Sequence, residues 1–334
     1  MTASDAARRF LLPLAPGYRL ALALREMRLR AGWEPVRKLR CPVVSIGSLS
    51  AGGSGKTPLT IALAQALIRR GRNVDVLSRG YGRTGLQAAR VDPDGAAEDF
   101  GDEPLLIVRA TGVPVYVAAQ RYEAGLLAES ADLPPAAGRI HLLDDGFQHR
   151  QLHRDVNILL VDACDWFAER LLPAGNLREP LPAIRRADVL AIPAADAPQL
   201  EPGLRGHGWQ GPIWRLQRRM QVPSINGPIA AFCGIARPGQ FFGGLESAGL
   251  HLALRAAFPD HHRYAVREID RLAASARRAG AAALVTTEKD HVRMGKLVAI
   301  LGASLPLSIA RLRIEIENEQ AALNWLEDKL TATS

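Results

Sequence analysis

Residues 43–57 read VVSIGSLSAGGSGKT, and this stretch decides the fold. Its apolar start, Val43–Ile46, predicts a buried strand, and a glycine-rich turn then leads into a helix predicted over 57–70. Glycines let backbone N–H groups wrap a phosphate without side-chain clashes, and a helix N-terminus adds unpaired donors and a positive dipole. The order of strand, turn and helix therefore predicts a loop that binds the phosphates of a nucleoside triphosphate.

Two side chains of this loop have expected roles. Lys56 is expected to reach the β- and γ-phosphates of ATP, and Thr57 to offer its hydroxyl to Mg²⁺. The strict pattern has Gly five residues before Gly55, where this chain has Ser50. The alternative is a surface turn that contains Gly-Lys-Thr by chance, but the order of elements favours the phosphate loop. The predicted nucleotide-binding residues are Ser50, Ala51, Gly52, Gly53, Ser54, Gly55, Lys56 and Thr57.

Apolar strands alternate with helices along the rest of the chain, which predicts an α/β fold with a parallel sheet covered on both faces. The stretch 196–228 is rich in Pro and Gly, and we place a domain boundary within it. We therefore predict an N-terminal arm at 1–40, a P-loop NTPase-like domain at 41–220 and a second, smaller α/β domain at 221–334. The predicted strands are 43–46, 74–77, 113–117, 140–143, 158–161, 187–192, 229–233, 252–257, 283–287 and 307–316.

The positive charge of the chain is concentrated at its N-terminus. The 334 residues have a formal net charge of +8, and the first 40 residues, with nine basic and three acidic side chains, carry +6 of it. A basic protein can bind nucleic acid, an anionic membrane surface or an acidic substrate. Because the remaining residues carry only +2, the charge favours a local attachment to an anionic bilayer and argues against nucleic acid as a partner.

Within this arm we predict an amphipathic helix from Tyr18 to Ala31, with Pro13, Pro16 and Gly17 ending any earlier helix. One apolar edge carries Leu20, Leu24, Met27 and Ala31, and the opposite edge carries Tyr18, Leu22 and Leu29. Such a helix either docks wholly on its own domain or lies with one edge in a bilayer interface. Prolines interrupt the apolar stretch after Arg8 and Arg9, so we expect no cleaved signal peptide.

The three cysteines, Cys41, Cys164 and Cys233, lie far apart in the sequence and form no disulfide or zinc pattern, which favours a reducing compartment. No apolar run reaches the roughly 18 residues of a membrane-spanning helix.

Two pairs of acidic residues are candidates for the chemistry of phosphoryl transfer, which needs Mg²⁺ ligands and a base for the acceptor hydroxyl. Asp102 and Glu103 precede a predicted helix, and Asp144 and Asp145 follow an apolar strand, as in a Walker B motif. Adjacent acids on loops are often only solvated. Both pairs lie downstream of a phosphate loop, however, and the carboxyl end of a parallel strand is where α/β sheets bind ligands.

Seven sequence blocks, spread over nearly the whole chain, resemble the tetraacyldisaccharide 4′-kinases, the lipid A 4′-kinases of Gram-negative bacteria. GDEP and LDDGFQH after a phosphate loop are much more specific than the loop itself. Ser48 stands where the family pattern leads us to expect Asn. The blocks are SAGGSGKTP (50–58), LSRGYGR (77–83), GDEP (101–104), LDDGFQH (143–149), PAGNLREP (173–180), FPDH (258–261) and TTEKD (286–290).

The resemblance implies transfer of the ATP γ-phosphate to the 4′-hydroxyl of a tetraacylated glucosamine disaccharide 1-phosphate, which forms lipid IVA. It also implies two α/β domains with the active site in the cleft between them. The enzyme is expected to be peripheral (monotopic) on the cytoplasmic face of the inner membrane. Its expected partners are the lipid substrate and the anionic membrane, with no obligate protein partner.

The resemblance also implies roles for individual residues. Asp102 matches the catalytic base, paired with His261, and replacing His261 is expected to lower turnover much more than ATP binding. Lys289 either faces the nucleotide or lies in a segment that only caps the following helix. The implied Mg²⁺ ligands are Thr57, Glu103 and the pair Asp144 and Asp145; the implied substrate-binding residues are Gln148, His149 and Arg178.

Two other functions remain open on the sequence alone. The first is a P-loop NTPase switch whose hydrolysis drives partner binding. The second is a nucleic-acid-associated ATPase, which only the overall charge favours.

Overall fold

The structure, a computed structural model, describes residues 11–131, 138–168 and 170–333. Asp5, Arg8 and Arg9 of the predicted basic arm lie outside the described residues. The strands are β1 Val43–Ser48, β2 Asn73–Ser78, β3 Ala89–Arg90, β4 Val115–Val117, β5 Arg139–Asp144, β6 Val156–Leu160, β7 Val189–Pro193, β8 Ile213–Gln221, β9 Ile229–Cys233, β10 Leu252–Ala257, β11 Ala283–Thr287 and β12 Leu307–Ile316.

Helices lie between most of these strands, and short 3₁₀ turns occur at Leu12–Leu14, Leu181–Arg186 and Ala194–Asp196. The α-helices are α1 Ala15–Arg30, α2 Lys56–Arg69, α3 Ala97–Phe100, α4 Asp102–Thr111, α5 Arg121–Ser130, α6 Ala163–Ala168, α7 Ala197–Gly206, α8 Pro238–Ser247, α9 Val266–Arg278, α10 Glu288–Met294, α11 Leu297–Ser304 and α12 Glu319–Thr333.

The strands form one twelve-stranded sheet in the order β10-β9-β11-β12-β8-β7-β6-β1-β5-β2-β4-β3. Neighbouring strands run parallel except at β8–β12 and β3–β4, which are antiparallel. Two parallel sets, one from β4 to β8 and one from β10 to β12, are therefore joined edge to edge by the β8–β12 pair. The α/β class with a largely parallel sheet is confirmed, whereas the exact domain limits at 41–220 and 221–334 stay a prediction.

The phosphate loop follows the most central strand of the first set. All six residues of β1 are buried, and β1 pairs with β5 on one side and β6 on the other. Helix α2 begins at Lys56, one residue before the predicted start, with Gly55 as its N-cap at φ 95°. The inner face of α2 is apolar and packs into the largest core cluster with Leu59, Leu63 and Leu67. Burial of this face fixes the direction in which the helix N-terminus points.

Two parts of the chain differ from what its prolines and glycines predict. Helix α1 begins at Ala15 and includes Pro16 and Gly17, because a proline in the first turn has no intrahelical N–H bond to lose. The stretch 196–228 contains helix α7 and strand β8. Burial of Leu200 and Leu204 outweighs the Pro and Gly content there.

Helix α1 docks on the body with one edge and exposes the other. Tyr18 and Leu22 pack against a core cluster, while Leu20, Leu24 and Met27 are among the exposed large apolar side chains. The two apolar edges predicted from the sequence are therefore present, and only one of them is buried. Within the described part of the chain, no helix combines the length and apolar character needed to cross a bilayer.

Candidate active site

The loop between β1 and α2 is held by the 173–180 block and by residues from the second parallel set. The N–H of Ala51 donates to the carbonyl of Asn176 at 2.8 Å. Gly52 and Gly53 have φ values of 76° and 68°, which favour glycine. A Cβ on Gly53 would lie 2.7 Å from Cγ of Arg237, so this side chain packs directly on the loop. The eight predicted nucleotide-binding residues thus form a continuous segment, a turn over 50–55 and the first two residues of α2.

Lys56, at the start of α2, is buried and already surrounded by oxygen atoms. Its Nζ lies 3.2 Å from Ser48 Oγ, 3.4 Å from Ser54 Oγ and 3.6 Å from Asp145 Oδ1. Ser48 Oγ also donates to the carbonyl of Ser50 at 2.9 Å. The serine that departs from the family pattern therefore orients the lysine and stabilises the turn.

The acidic pair at the end of β5 has two different environments. Asp144 is buried, and its Oδ1 accepts a hydrogen bond from Thr60 at 3.0 Å. Burial, with the nearby charges of Glu103 and Asp145, raises the pKa of Asp144 to about 7. Burial also acts to raise the pKa of Asp145, but Lys56 and Arg178 outweigh it and hold that pKa below its ordinary value.

Asp102, in the first turn of α4, contacts two residues from the part of the chain that contains β9 to β12. Its Oδ2 lies 3.1 Å from Nδ1 of His261 and 2.5 Å from a guanidinium nitrogen of Arg293. Burial acts to raise the pKa of Asp102, but His261, Arg293 and Lys289 outweigh it and hold the pKa well below its ordinary value. The hydrogen bond to Asp102 raises the pKa of His261, against the effect of burial. The pair predicted from the sequence is therefore in direct contact.

The TTEKD block both caps a helix and reaches the acidic residues. The Thr287 hydroxyl accepts a hydrogen bond from the N–H of Asp290 at 3.1 Å, which caps α10. Lys289, on the same helix, forms an ion pair with Glu103. The helix cap is therefore present, and the lysine is directed at an acid of the site, while its contact with the nucleotide stays a prediction.

Glu103 connects the two groups of acids. It neighbours Asp102 in α4, and its charge contributes to the raised pKa of Asp144 across the loop. The predicted base and the predicted metal ligands therefore belong to one site, whose components come from β1–α2, β5, α4, α10 and the segment around His261.

The three predicted substrate-binding residues lie between this site and α1. Arg178 donates to both carboxylate oxygens of Asp145, at 2.9 and 3.0 Å, and to Oε1 of Gln148 at 3.2 Å. Burial and the surrounding arginines lower the pKa of His149 to about 3, so the imidazole is neutral at pH 7. From α1, Tyr18 donates to the carbonyl of Arg178 at 2.9 Å and Arg25 to that of Gln148 at 2.5 Å. Helix α1 thus contacts two of the three residues that the family resemblance assigns to the substrate, Gln148 and Arg178.

Three arginines of the site were not identified from the sequence. Arg293 lies three residues after Asp290 on α10 and contacts it at 3.0 Å. This i,i+3 spacing is the signal in the sequence from which Arg293 could have been found. Arg121 begins α5 just beyond β4, and burial with the charge of Arg79 lowers its pKa to about 10. Arg237 forms ion pairs with Asp162 and Asp165 beside the phosphate loop, and no local signal marks it.

Comparison with known proteins identifies the family. The sequence profile of the tetraacyldisaccharide-1-P 4′-kinase family matches residues 7–331. The chain belongs to this family. A tetraacyldisaccharide 4′-kinase of Koribacter versatilis is 40% identical over 327 residues, covering 93% of this chain and 96% of the relative. One from Geobacter metallireducens is 39% identical, covering 86% and 89%.

A solved structure agrees with this assignment. The crystal structure of LpxK from Aquifex aeolicus in complex with ATP is 31% identical and superposes with a TM-score of 0.73, over 97% of this chain and 99% of that one. The chain is therefore a kinase of the tetraacyldisaccharide 4′-kinase family, as the GDEP and LDDGFQH blocks indicate.

Proposed function

We propose that this protein transfers the γ-phosphate of ATP to the 4′-hydroxyl of a tetraacyldisaccharide 1-phosphate, forming lipid IVA in lipid A biosynthesis. The observation that carries the proposal is the contact of Asp102 with His261. Glu103, the residue after Asp102, is close enough to Asp144 for its charge to raise the pKa of Asp144. A proton acceptor, a set of metal-binding oxygens and a phosphate loop thus lie within one site. Phosphoryl transfer to an alcohol needs these three components.

The phosphate loop supplies the nucleotide site. Backbone N–H groups of residues 50–57, other than that of Ala51, which bonds to Asn176, and the positive end of α2 bind the phosphates, and Lys56 neutralises charge on the β- and γ-phosphates. Because Lys56 contacts Asp145 and two serines, it is positioned without a nucleotide. Arg237, in the segment between β9 and α8, packs on the loop and helps to exclude water from the transferred group.

The acidic residues fit a magnesium ion. Thr57, Glu103, Asp144 and Asp145 offer a hydroxyl and three carboxylates, the oxygen ligands that Mg²⁺ prefers. Asp144 Oδ2 is buried and makes no hydrogen bond among the described residues, and burial together with the like charges of Glu103 and Asp145 raises the pKa of Asp144 to about 7. A divalent cation would relieve this repulsion. Bound there with ATP, Mg²⁺ would neutralise charge on the phosphates.

Asp102 and His261 remove the proton of the acceptor. The hydroxyl oxygen attacks the γ-phosphorus, its proton passes to the Asp102–His261 pair, and ADP leaves. Arg293 holds the Asp102 carboxylate in place through a buried ion pair. Since His261 and Arg293 come from a different part of the chain than Asp102, the pair is complete only when both parts are apposed, which limits hydrolysis by water.

The lipid binds at the side of the site that faces α1. Gln148, His149 and Arg178 lie there, and α1 contacts Gln148 and Arg178 directly. The exposed edge of α1, with Leu20, Leu24 and Met27, inserts into the interface of the bilayer that holds the lipid. We place the protein as a peripheral enzyme on the cytoplasmic face of the inner membrane, where its basic arm meets anionic lipid.

The test is transfer of ³²P from γ-labelled ATP to tetraacyldisaccharide 1-phosphate in mixed micelles. Wild-type protein is expected to label the lipid, and Lys56→Ala to lower the rate by about 10² or more, because it removes a cation from the transferred phosphate. Lys329→Ala, on α12, is the matched control and is expected to match wild type. Lipid-independent ATP hydrolysis stimulated only by a protein or by DNA would refute the kinase and favour the switch or the nucleic-acid ATPase.

Membrane attachment is tested separately by sedimentation with vesicles that contain anionic lipid. Replacing Leu20, Leu24 and Met27 with Ser is expected to weaken vesicle binding at least about tenfold, because each residue loses apolar burial. The matched control replaces three exposed apolar residues elsewhere, Ile68, Leu126 and Ile300. Equal loss of binding in both triple variants would contradict the role of α1.

A further inference from the structure

A second cluster of side chains that can bind a metal lies at the N-terminal ends of the central strands, whereas the phosphate loop lies at their C-terminal ends. Cys41 precedes β1, Glu129 is near the end of α5, and His141 is in β5, paired in register with Val43. The phosphate loop follows the other end of β1, so the cluster lies roughly 20 Å from it, the length of a six-residue strand. The mechanism of phosphate transfer uses none of these three residues.

Within this cluster the three side chains point at one another. One ligand atom from each, the Cys41 sulfur, a Glu129 oxygen and a His141 nitrogen, lie within 4.8 Å of one another. His141 Nε2 is 3.5 Å from Glu129 Oε1. Two ligands bound to one tetrahedral zinc at about 2.0–2.1 Å are roughly 3.4 Å apart, so this spacing suits a shared ion.

The imidazole of His141 is fully buried and oriented by a carboxylate. Its Nδ1 lies 2.6 Å from Asp75 Oδ1, whereas its Nε2 makes no hydrogen bond among the described residues. A carboxylate that holds one ring nitrogen while the other faces a metal is the arrangement typical of zinc-binding histidines. Buried polar atoms are normally satisfied, and Nε2 faces Glu129 Oε1 at 3.5 Å, beyond a good hydrogen bond, so an ion shared by the two atoms would complete the cluster.

Glu129 is also fixed in position. The backbone N–H groups of Arg40 and Cys41 donate to its Oε1 at 2.7 and 2.8 Å. These hydrogen bonds hold the Glu129 carboxylate next to the backbone of Cys41.

We propose that Cys41, Glu129 and His141 bind one Zn²⁺ ion, with water as the fourth ligand and Asp75 orienting His141. A thiolate, an imidazole and a carboxylate together suit zinc better than Mg²⁺ or Ca²⁺, which prefer oxygen ligands alone. The ion would link the segment just before β1, the C-terminal end of α5 and strand β5. Its role is structural, because the site lies far from the acids that handle ATP.

The experiment measures zinc in the full-length chain. After incubation with excess Zn²⁺ and desalting, wild type is expected to retain about one zinc per chain by mass spectrometry of the metal, and to show a higher Tm than the chelated protein. Cys41→Ser and His141→Gln are each expected to retain less than about a fifth of that zinc. Substitution with Co²⁺ is expected to give the charge-transfer absorption of a cobalt–thiolate bond in wild type but not in Cys41→Ser.

The matched control is Cys164→Ser, which removes an exposed thiol outside the cluster and is expected to retain full zinc. Circular dichroism of each chelated variant shows whether it folds. Two results would overturn the proposal. One is a folded wild type that retains no zinc and whose His141 is an imidazolium by ¹⁵N NMR, held between Asp75 and Glu129. The other is zinc retained undiminished in Cys41→Ser.

Discussion

Asp144 and Asp102 are both buried acids of the same site, yet their pKa values shift in opposite directions. Asp144 is near Glu103 and Asp145, and burial with these like charges raises its pKa to about 7. Asp102 is also buried, but His261, Arg293 and Lys289 hold its pKa well below the ordinary value. Partners, rather than burial alone, set the charge of each carboxylate.

The difference assigns the two carboxylates different tasks. The neighbours of Asp144, which are Asp145 and Glu103, are paired with Lys56, Arg178 and Lys289, whereas Asp144 forms no ion pair among the described residues and suits a cation that arrives with the nucleotide. The Asp102 region already contains its cations, so the carboxylate stays ionised and oriented when the acceptor hydroxyl approaches. The following substitutions test this contrast, from the largest expected effect to the smallest.

Asp102→Asn is expected to have the largest effect. It keeps the size of the side chain but removes the ability to accept a proton, and general bases contribute about 10²–10⁴ in rate. We expect kcat to fall by about 10³ while the KM for ATP changes by less than about threefold, measured in the lipid-labelling assay. A parallel loss of ATP affinity would show that Asp102 belongs with the nucleotide-binding acids instead.

Asp144→Asn is expected to act through the metal. Losing one carboxylate ligand lowers affinity for Mg²⁺, so the Mg²⁺ concentration for half-maximal rate is expected to rise about tenfold, and the rate at saturating Mg²⁺ to fall by about 10². The measurement is a Mg²⁺ titration at fixed ATP. As a control, Asp102→Asn is expected to leave the half-maximal Mg²⁺ concentration unchanged. If both variants shift it equally, the two acids do not have separate tasks.

His261→Ala is expected to lower kcat by about ten- to a hundredfold and to change its pH dependence. The contact with Asp102 raises the pKa of His261 above its ordinary value of about 6.5. Below that pKa the pair already holds the proton, so the wild-type rate is expected to rise with pH through a midpoint above about 6.5. In the alanine variant this rise is expected to disappear, with ATP binding little changed. A rise with the same midpoint in both proteins would exclude His261 as its source.

The sequence predicts well those parts of this site that are local. The strand β1 begins at its predicted residue and ends two residues later than predicted, and α2 begins one residue before its predicted start, because buried periodicity and glycine conformations act over a few residues. Asp144 is the last residue of β5, one residue further into the strand than predicted, and Asp145 follows it. The contact of Asp102 with His261, 159 residues away, was inferred only from family resemblance.

Contacts that depend on how distant elements pack were not predicted. Arg293 reaches Asp102 only because α10 lies against α4, and Arg237 reaches Asp162 only because the second set of strands faces the phosphate loop. The charge of a sequence and the spacing of its residues do not show which distant helices and strands pack against each other. The α7 segment shows the same limit, since its buried leucines outweigh the local preference of Pro and Gly for turns.

Ser48→Ala is expected to have the smallest effect of the series. The serine hydroxyl contacts Lys56 Nζ at 3.2 Å and donates to the Ser50 carbonyl at 2.9 Å, so alanine removes both contacts at the buried base of the loop. A net hydrogen bond contributes about 1 kcal/mol, which corresponds to roughly fivefold. We therefore expect kcat/KM for ATP to fall about fivefold. Thr111→Ala, which removes a hydroxyl bond to Ile107 at the far end of α4, is the control and is expected to leave kcat/KM unchanged. A loss as large as that of Lys56→Ala would mean that Ser48, rather than the glycines around it, determines how the loop presents its lysine.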